Sequence, residues 1–244
     1  DLVGWTGSNG DNPEVDLVIN RGTIGNKEYT ANFIIDNNVP YTVIHKKQNK
    51  TGSGYTTADT EHKTGTASQE ITPPVKDYYG FTAPSTQTTT IEPDGSTVVT
   101  YEYTRNKFTL TLQDTEMIDT EFTSGEYYYE TSITVKAKAK QGYNFVRWST
   151  GSTENDYTFN LNENTTLKPI YEARTDTPYT VIYKKQNVTG SGYTVAETEN
   201  LQGTTDSPIT PGVKEYTGFN SPSTQTTTIK PDGSTVVTYE YTRI

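Results

Sequence analysis

The chain of 244 residues has no cysteine, one methionine, two histidines and two tryptophans. Without cysteine there is no disulfide, no thiolate nucleophile, no Cys–Gln thioester and no cysteine-ligated zinc. Hydrophobic residues make up only 30%, against a usual apolar share, glycine included, of roughly 45–50%. One large core is therefore not expected, and several small modules are. No apolar run reaches the roughly 18 residues of a membrane helix, so no membrane insertion is expected of this segment. No leader peptide opens it either, and it reads as a piece of something longer. Acidic residues outnumber basic ones, 30 against 20, for a net charge of −10. Such a surface repels phosphate backbones and anionic lipid, which excludes nucleic acid as a natural partner.

What the chain does have is tyrosine, 19 of them beside 7 phenylalanines. A module of about 65 residues buries only about 60% of its unfolded surface. It needs bulky side chains, and each aromatic ring buries roughly 150–250 Å².

The chain also repeats itself. Tyr41–Arg105 returns at an offset of 138 as Tyr179–Arg243, with 48 of 65 positions identical. Arrays of this kind are typical of extended proteins built from stacked units. A second repeat is fainter: Val3 and Trp5 match Val146 and Trp148, and each passage leads through a polar turn to a closing strand (Tyr29, Ala31, Phe33 and Leu167, Pro169, Tyr171). The expected order is half B (1–36), A (38–105), B (106–173), A (178–244), with a monomeric, elongated array as the outcome. The joints are short and two carry proline, which favours a semi-rigid rod.

The periodicity is that of strands throughout. Tyr179, Val181 and Tyr183 share one face, as do Val237, Tyr239 and Tyr241. Pro-Asp-Gly at 93–95 and 231–233 reads as the turn of a hairpin whose arms are 88–91 and 97–101 in the first copy. In B, Phe108–Leu112 alternates, and Ile133, Val135, Ala137 and Ala139 alternate against Lys136, Lys138 and Lys140. That lysine row reads as a solvated stripe on an exposed or edge strand, or as a dock for an acidic partner. Thr194–Leu201 is the one stretch with room for a turn or two of helix.

Module A carries Tyr-Thr-Val-Ile near its start, Gly218-Phe219 and Pro222 in its middle, and Ile-x-Pro-Asp-Gly-Ser-Thr-Val-Val-Thr-Tyr-x-Tyr-Thr-Arg at its end. In these it resembles the MucBP (mucin-binding protein) repeats of Gram-positive surface proteins. Module B, with Gly142-Tyr-Asn-Phe-Val-Arg-Trp148 and Leu167-Lys-Pro-Ile-Tyr171, is similar to the Listeria–Bacteroides repeat, the internalin-type B-repeat. The resemblance implies mainly β, tandem small β-grasp-like modules on a secreted protein held at the cell wall by a segment outside these residues. It implies a stalk or spacer of an adhesin, with a host glycan or glycoprotein as the alternative partner.

No catalytic residue, cofactor or metal site is expected. His45 and His62 become Tyr183 and Asn200 in the second copy and read as surface histidines. Asp11–Asp16 and the Asp94 and Asp232 turns lack the alternating oxygen ligands of a calcium loop. A Lys–Asn isopeptide crosslink would need a buried lysine, asparagine and acid together. Tyr127, Tyr128 and Tyr129 are the candidate ligand-binding residues, because three in a row must point to both faces of a strand and leave at least one ring open to stack on a sugar. The copies differ at 17 positions, concentrated at 62–70 against 200–208. Any ligand contact is expected on that variable loop.

Overall fold

The computed structural model describes all residues, 1–244. It is almost entirely β, and a single 3₁₀ turn at Thr115–Met117 is its only helical element. The chain divides into two units, 1–107 and 108–244.

The first unit begins with β1 (Leu2–Gly7), β2 (Gly10–Glu14) and β3 (Tyr29–Phe33), in the order β2-β1-β3. Its A module follows as β4 (Val39–Gln48), β5 (Tyr55–Gly65), β6 (Glu70–Ile71), β7 (Phe81–Thr82), β8 (Thr89–Thr90) and β9 (Val98–Arg105). The main sheet has the order β5-β4-β9-β7, with β4 antiparallel to β5 and parallel to β9. Alternation buries Val43, His45, Val99, Tyr101 and Tyr103 on one face, while Val98 and Glu102 on β9 face solvent.

The second unit opens with the B segment: β10 (Lys107–Leu112), β11 (Ile118–Asp119), β12 (Gly125–Tyr128), β13 (Thr131–Ala137), β14 (Tyr143–Trp148), β15 (Asp156–Leu161), β16 (Thr165–Leu167) and β17 (Pro169–Ala173). Its sheets are β12-β10-β16, β11-β13-β15 and the pair β14-β17. They enclose Leu110, Ile133, Val135, Trp148, Leu161 and Leu167, all within 1% of full burial. The second A module repeats the first as β18 (Thr177–Gln186), β19 (Tyr193–Gly203), β20 (Pro208–Ile209), β21 (Phe219–Asn220), β22 (Thr227–Thr228) and β23 (Thr235–Arg243), in the order β19-β18-β23-β21. Even the bulge recurs, between His45 and Lys46 and again between Tyr183 and Lys184.

β1 and β3 mirror β14 and β17. Trp5 pairs with Ala31 as Trp148 pairs with Pro169, and the register breaks at Leu2/Gly4 and at Phe145/Arg147. Trp148 is fully buried and donates from Nε1 to the Glu154 carbonyl at 2.9 Å, whereas Trp5 is half-buried and Phe33 is 71% exposed.

Three expectations are corrected. Pro-Asp-Gly does not close a hairpin: β8 pairs with β6, and β9 pairs with β4 and β7. The two arms belong to different sheets because the Thr97 hydroxyl takes the Glu92 N–H at 2.8 Å and Ile91 turns inward to full burial. Thr194–Leu201 lies inside β19, since its ten-residue antiparallel register with β18 outweighs any local helical tendency. The lysine row does face solvent, but only Lys136 lies on a strand, β13, which is the central strand of its sheet; the strand and its alternation end at Ala137, before Lys138 and Lys140.

Gly95 and Gly233 have φ of 76° and 73°, and a Cβ added there would lie 3.0 Å from Pro40 Cγ and 2.8 Å from Pro178 Cγ. Replacing either by alanine adds left-handed strain to a clash with the joint proline. Each substitution is expected to cost about 1–3 kcal/mol, read as a lower melting temperature of its own module in calorimetry.

Candidate functional site

Parallel strands such as β4 and β9 need a crossover, usually a helix. Here the chain turns back through β5 and then crosses over β4 to β9 in residues 66–97, which carry only β6, β7 and β8. A covering segment without a helix leaves backbone groups that must find other partners. Side-chain hydroxyls of β9 supply them. Tyr101 donates to the Pro73 carbonyl at 2.5 Å and accepts the Gln87 N–H at 3.2 Å. Tyr103 accepts the Lys76 N–H at 2.7 Å. The second copy reproduces the set: Tyr239 to Pro211 at 2.6 Å and Gln225 at 3.2 Å, Tyr241 to Lys214 at 2.8 Å. The closing arginine completes the clamp. Arg105 donates from Nε to the Gln48 carbonyl at 3.0 Å and stacks its guanidinium over Phe81 at 4.6 Å, as Arg243 does with Gln186 and Phe219.

Beside these tyrosines lies the densest charge cluster of each A module. Asp59 and Glu61 alternate on β5, and the crossover brings Lys76 between them, in direct contact with Asp59 and 2.6 Å from Glu61. Hydrogen bonds from Lys63 and Lys76 pull the Glu61 carboxyl down to about 2. The Lys76 ammonium is held well above the ordinary lysine range by Asp59 and then Glu61. In the second copy Lys214 sits 2.5 Å from both Glu197 and Glu199. Asp59, Glu61 and Lys76, and Glu199 and Lys214, are thus ionised at neutral pH. Amide formation needs a neutral amine and a neutral carboxyl, and no asparagine stands in either cluster, so the isopeptide condition is not met here. Nor do three or more potential metal ligands gather anywhere.

His45 lies inside this cluster, which corrects its expected place on the surface: it is 0% exposed, whereas His62 is exposed. The alternation of β4 turns it inward opposite Asp59. Its Nδ1 meets the Tyr103 hydroxyl at 2.8 Å, and its Nε2 faces Glu61 at 3.7 Å without a hydrogen-bond partner. Burial, and then the Lys76 charge, lower its pKa. In the second copy Tyr183 reaches further and meets Glu199 and the Gly212 carbonyl, each at 3.1 Å. Burial and Glu199 push its hydroxyl up to about 12.

The candidate tyrosines of the B segment occupy a different setting. Tyr127, Tyr128 and Tyr129 are all half-buried, with none fully open. Tyr127 packs edge-on against Phe122 at 5.5 Å and donates to the Thr123 carbonyl at 2.8 Å; Tyr129 packs on Phe108 at 6.1 Å. They fill gaps at the margin of the core and do not come together with the A clusters. An open groove on the solvent face of β11, β13 and β15 is lined by Asp119, Glu121, Thr134, Lys136 and Asp156. The strapping role of Tyr101, Tyr103 and their copies was not evident in advance, although the Tyr-x-Tyr-Thr-Arg spacing was its signal.

Two outcomes follow for this site. Tyr101→Phe orphans the buried Pro73 carbonyl and the part-buried Gln87 N–H and is expected to cost about 1–3 kcal/mol, a larger loss than removing the partly exposed Lys76 ammonium, by urea unfolding. The folded state disfavours protonated His45, so its contribution is complete above the ordinary imidazole pKa and is lost as pH falls below about 6.5. The first A module should lose melting temperature between pH 7 and 5, and His45→Tyr should abolish that part of the slope.

Residues 109–175 match the family described as a divergent InlB B-repeat domain. None of the curated proteins matches the chain. Among solved structures, the Bacillus anthracis TIE protein aligns over 89% of this chain at 9% identity with a TM-score of 0.36, and this chain spans 54% of that one. The segment between the two A copies is therefore a B-repeat-like module.

Proposed function

We propose that the chain is a non-catalytic repeat region of a bacterial cell-surface protein and serves as a stalk or spacer of an adhesin. The observation that carries this is the duplication of the A module with its strand order, bulge and tyrosine straps intact, on either side of a B-repeat-like module. Arrays of units with separate small cores extend length at constant design, each unit adding its own stability. The buried tyrosine hydroxyls are spent on holding the crossovers, and the clustered lysines and carboxylates neutralise one another. The MucBP resemblance of the A modules, and the parallel central pair expected of a β-grasp-like sheet, support the same placement outside the cell, with wall attachment through another segment.

Small-angle scattering of the full chain should give a monomeric, extended particle. A compact globule would overturn the spacer. A competing glycan- or mucin-binding role would draw on the Tyr127–Tyr129 margin or on 62–70 and 200–208. A pull-down on mucin and a glycan array at high micromolar chain are expected to retain nothing. Retention that is lost on replacing those residues would favour the adhesive role instead.

A further inference from the structure

The loop on which ligand contacts are expected meets, in the second copy, the neighbouring module. We propose that Gly142 and Tyr143 of the B-repeat-like module, with two turns of the following A module, form a dedicated module-on-module seat. Segment 200–208, where the A copies differ most, is the part fitted to the particular module in front of it. The seat stands independently of the stalk, because an array of binding modules would need it equally.

Four contacts build it. The Arg174 N–H donates to the Gly142 carbonyl at 2.9 Å, and the Thr205 N–H donates to the Arg174 carbonyl at 2.9 Å. The Tyr143 hydroxyl donates to the Asp206 carboxylate. Gly142, at φ 77°, lies flat on the Pro-Asp-Gly turn: a Cβ there would be 2.8 Å from Pro231 Cα. The two sequence signatures, Gly-Tyr of B and Pro-Asp-Gly of A, thus meet at one joint.

The other joint uses the same backbone with different side chains. Ala67 N–H donates to the Asp36 carbonyl at 2.7 Å, at the positions equivalent to Thr205 and Arg174. Ser68 and Asp206 share a left-handed φ, 61° and 58°, and the same 2.9 Å bond to the Ile91 or Ile229 carbonyl. Glycine is the usual residue at such a φ, so the turn itself is held constant by the fold. The side chains on it change in concert. Val39 and Ala67 become Thr177 and Thr205, two buried hydroxyls 2.6 Å apart, and Ser68 becomes Asp206, the partner of Tyr143. A merely permissive loop gives no reason for a buried residue of the joint strand and one of the loop to switch together from apolar to mutually bonded.

Amide hydrogen exchange on the full chain tests the seat. Asp206→Ala and Tyr143→Phe should each speed exchange at Arg174 and Thr205 by about tenfold, and the double variant no further. Amides of Val135 and Val181, inside the two cores, should be unchanged. The transplant Thr177→Val, Thr205→Ala, Asp206→Ser should reproduce the loss with the second A module still folded, because the first copy carries those residues on the same backbone. Additive effects of the two single variants, no change at Arg174 and Thr205, or acceleration at Val181 in step with them would overturn the proposal. None of these outcomes bears on particle shape, so the seat and the spacer can fail separately.

Discussion

Each A module depends on a crossover that carries the chain from β5, or β19, past the central strand to β9, or β23, and covers the sheet without a helix. A helix satisfies its own backbone, and an irregular strap does not, so the sheet must answer the strap's polar groups from below. Tyrosine suits that task, because its ring fills the thin core and its hydroxyl reaches the far side. Tyr101 and Tyr103, with Tyr239 and Tyr241, each combine full burial with a hydrogen bond to the strap. The low aliphatic content and the abundance of tyrosine are thus one choice of core material.

The remaining features of the A module follow from holding that strap down. Gly80-Phe81 places a ring under the Arg105 guanidinium, and Lys47 stacks 3.8 Å from the Tyr78 ring that borders it. Lys76 anchors the strap to β5 through Asp59 and Glu61. Where the anchor varies, it varies within the same geometry: Asp59 becomes Glu197, and buried His45 becomes Tyr183. Charged anchors at the rim contribute less than buried hydroxyls, since water competes for them.

Much of this was legible in the chain. Two-residue alternation identified the strands around Tyr179–Tyr183 and Val237–Tyr241 and the solvated lysine row. The turn at Pro-Asp-Gly was legible as a turn but not as a joint between sheets, because local chemistry reports the bend and not the partner of each arm. His45 was misplaced for a related reason. Alternation put it on the face of Val43, but a lone polar residue carries no mark of what covers it. The straps at Pro73 and Gln87 bind tyrosines 28 and 14 positions away, a separation at which sequence spacing has no say.

By itself, the sequence determined the strand content, the repeat offset and the absence of cysteine chemistry, because these rest on composition and short-range periodicity. Only the tertiary structure decided which strands pair in parallel, which hydroxyls satisfy the strap and what the most variable segment touches. Those depend on long-range contacts in which a side chain's partner is set by the fold of residues far from it. In the second copy, that partner belongs to the preceding module.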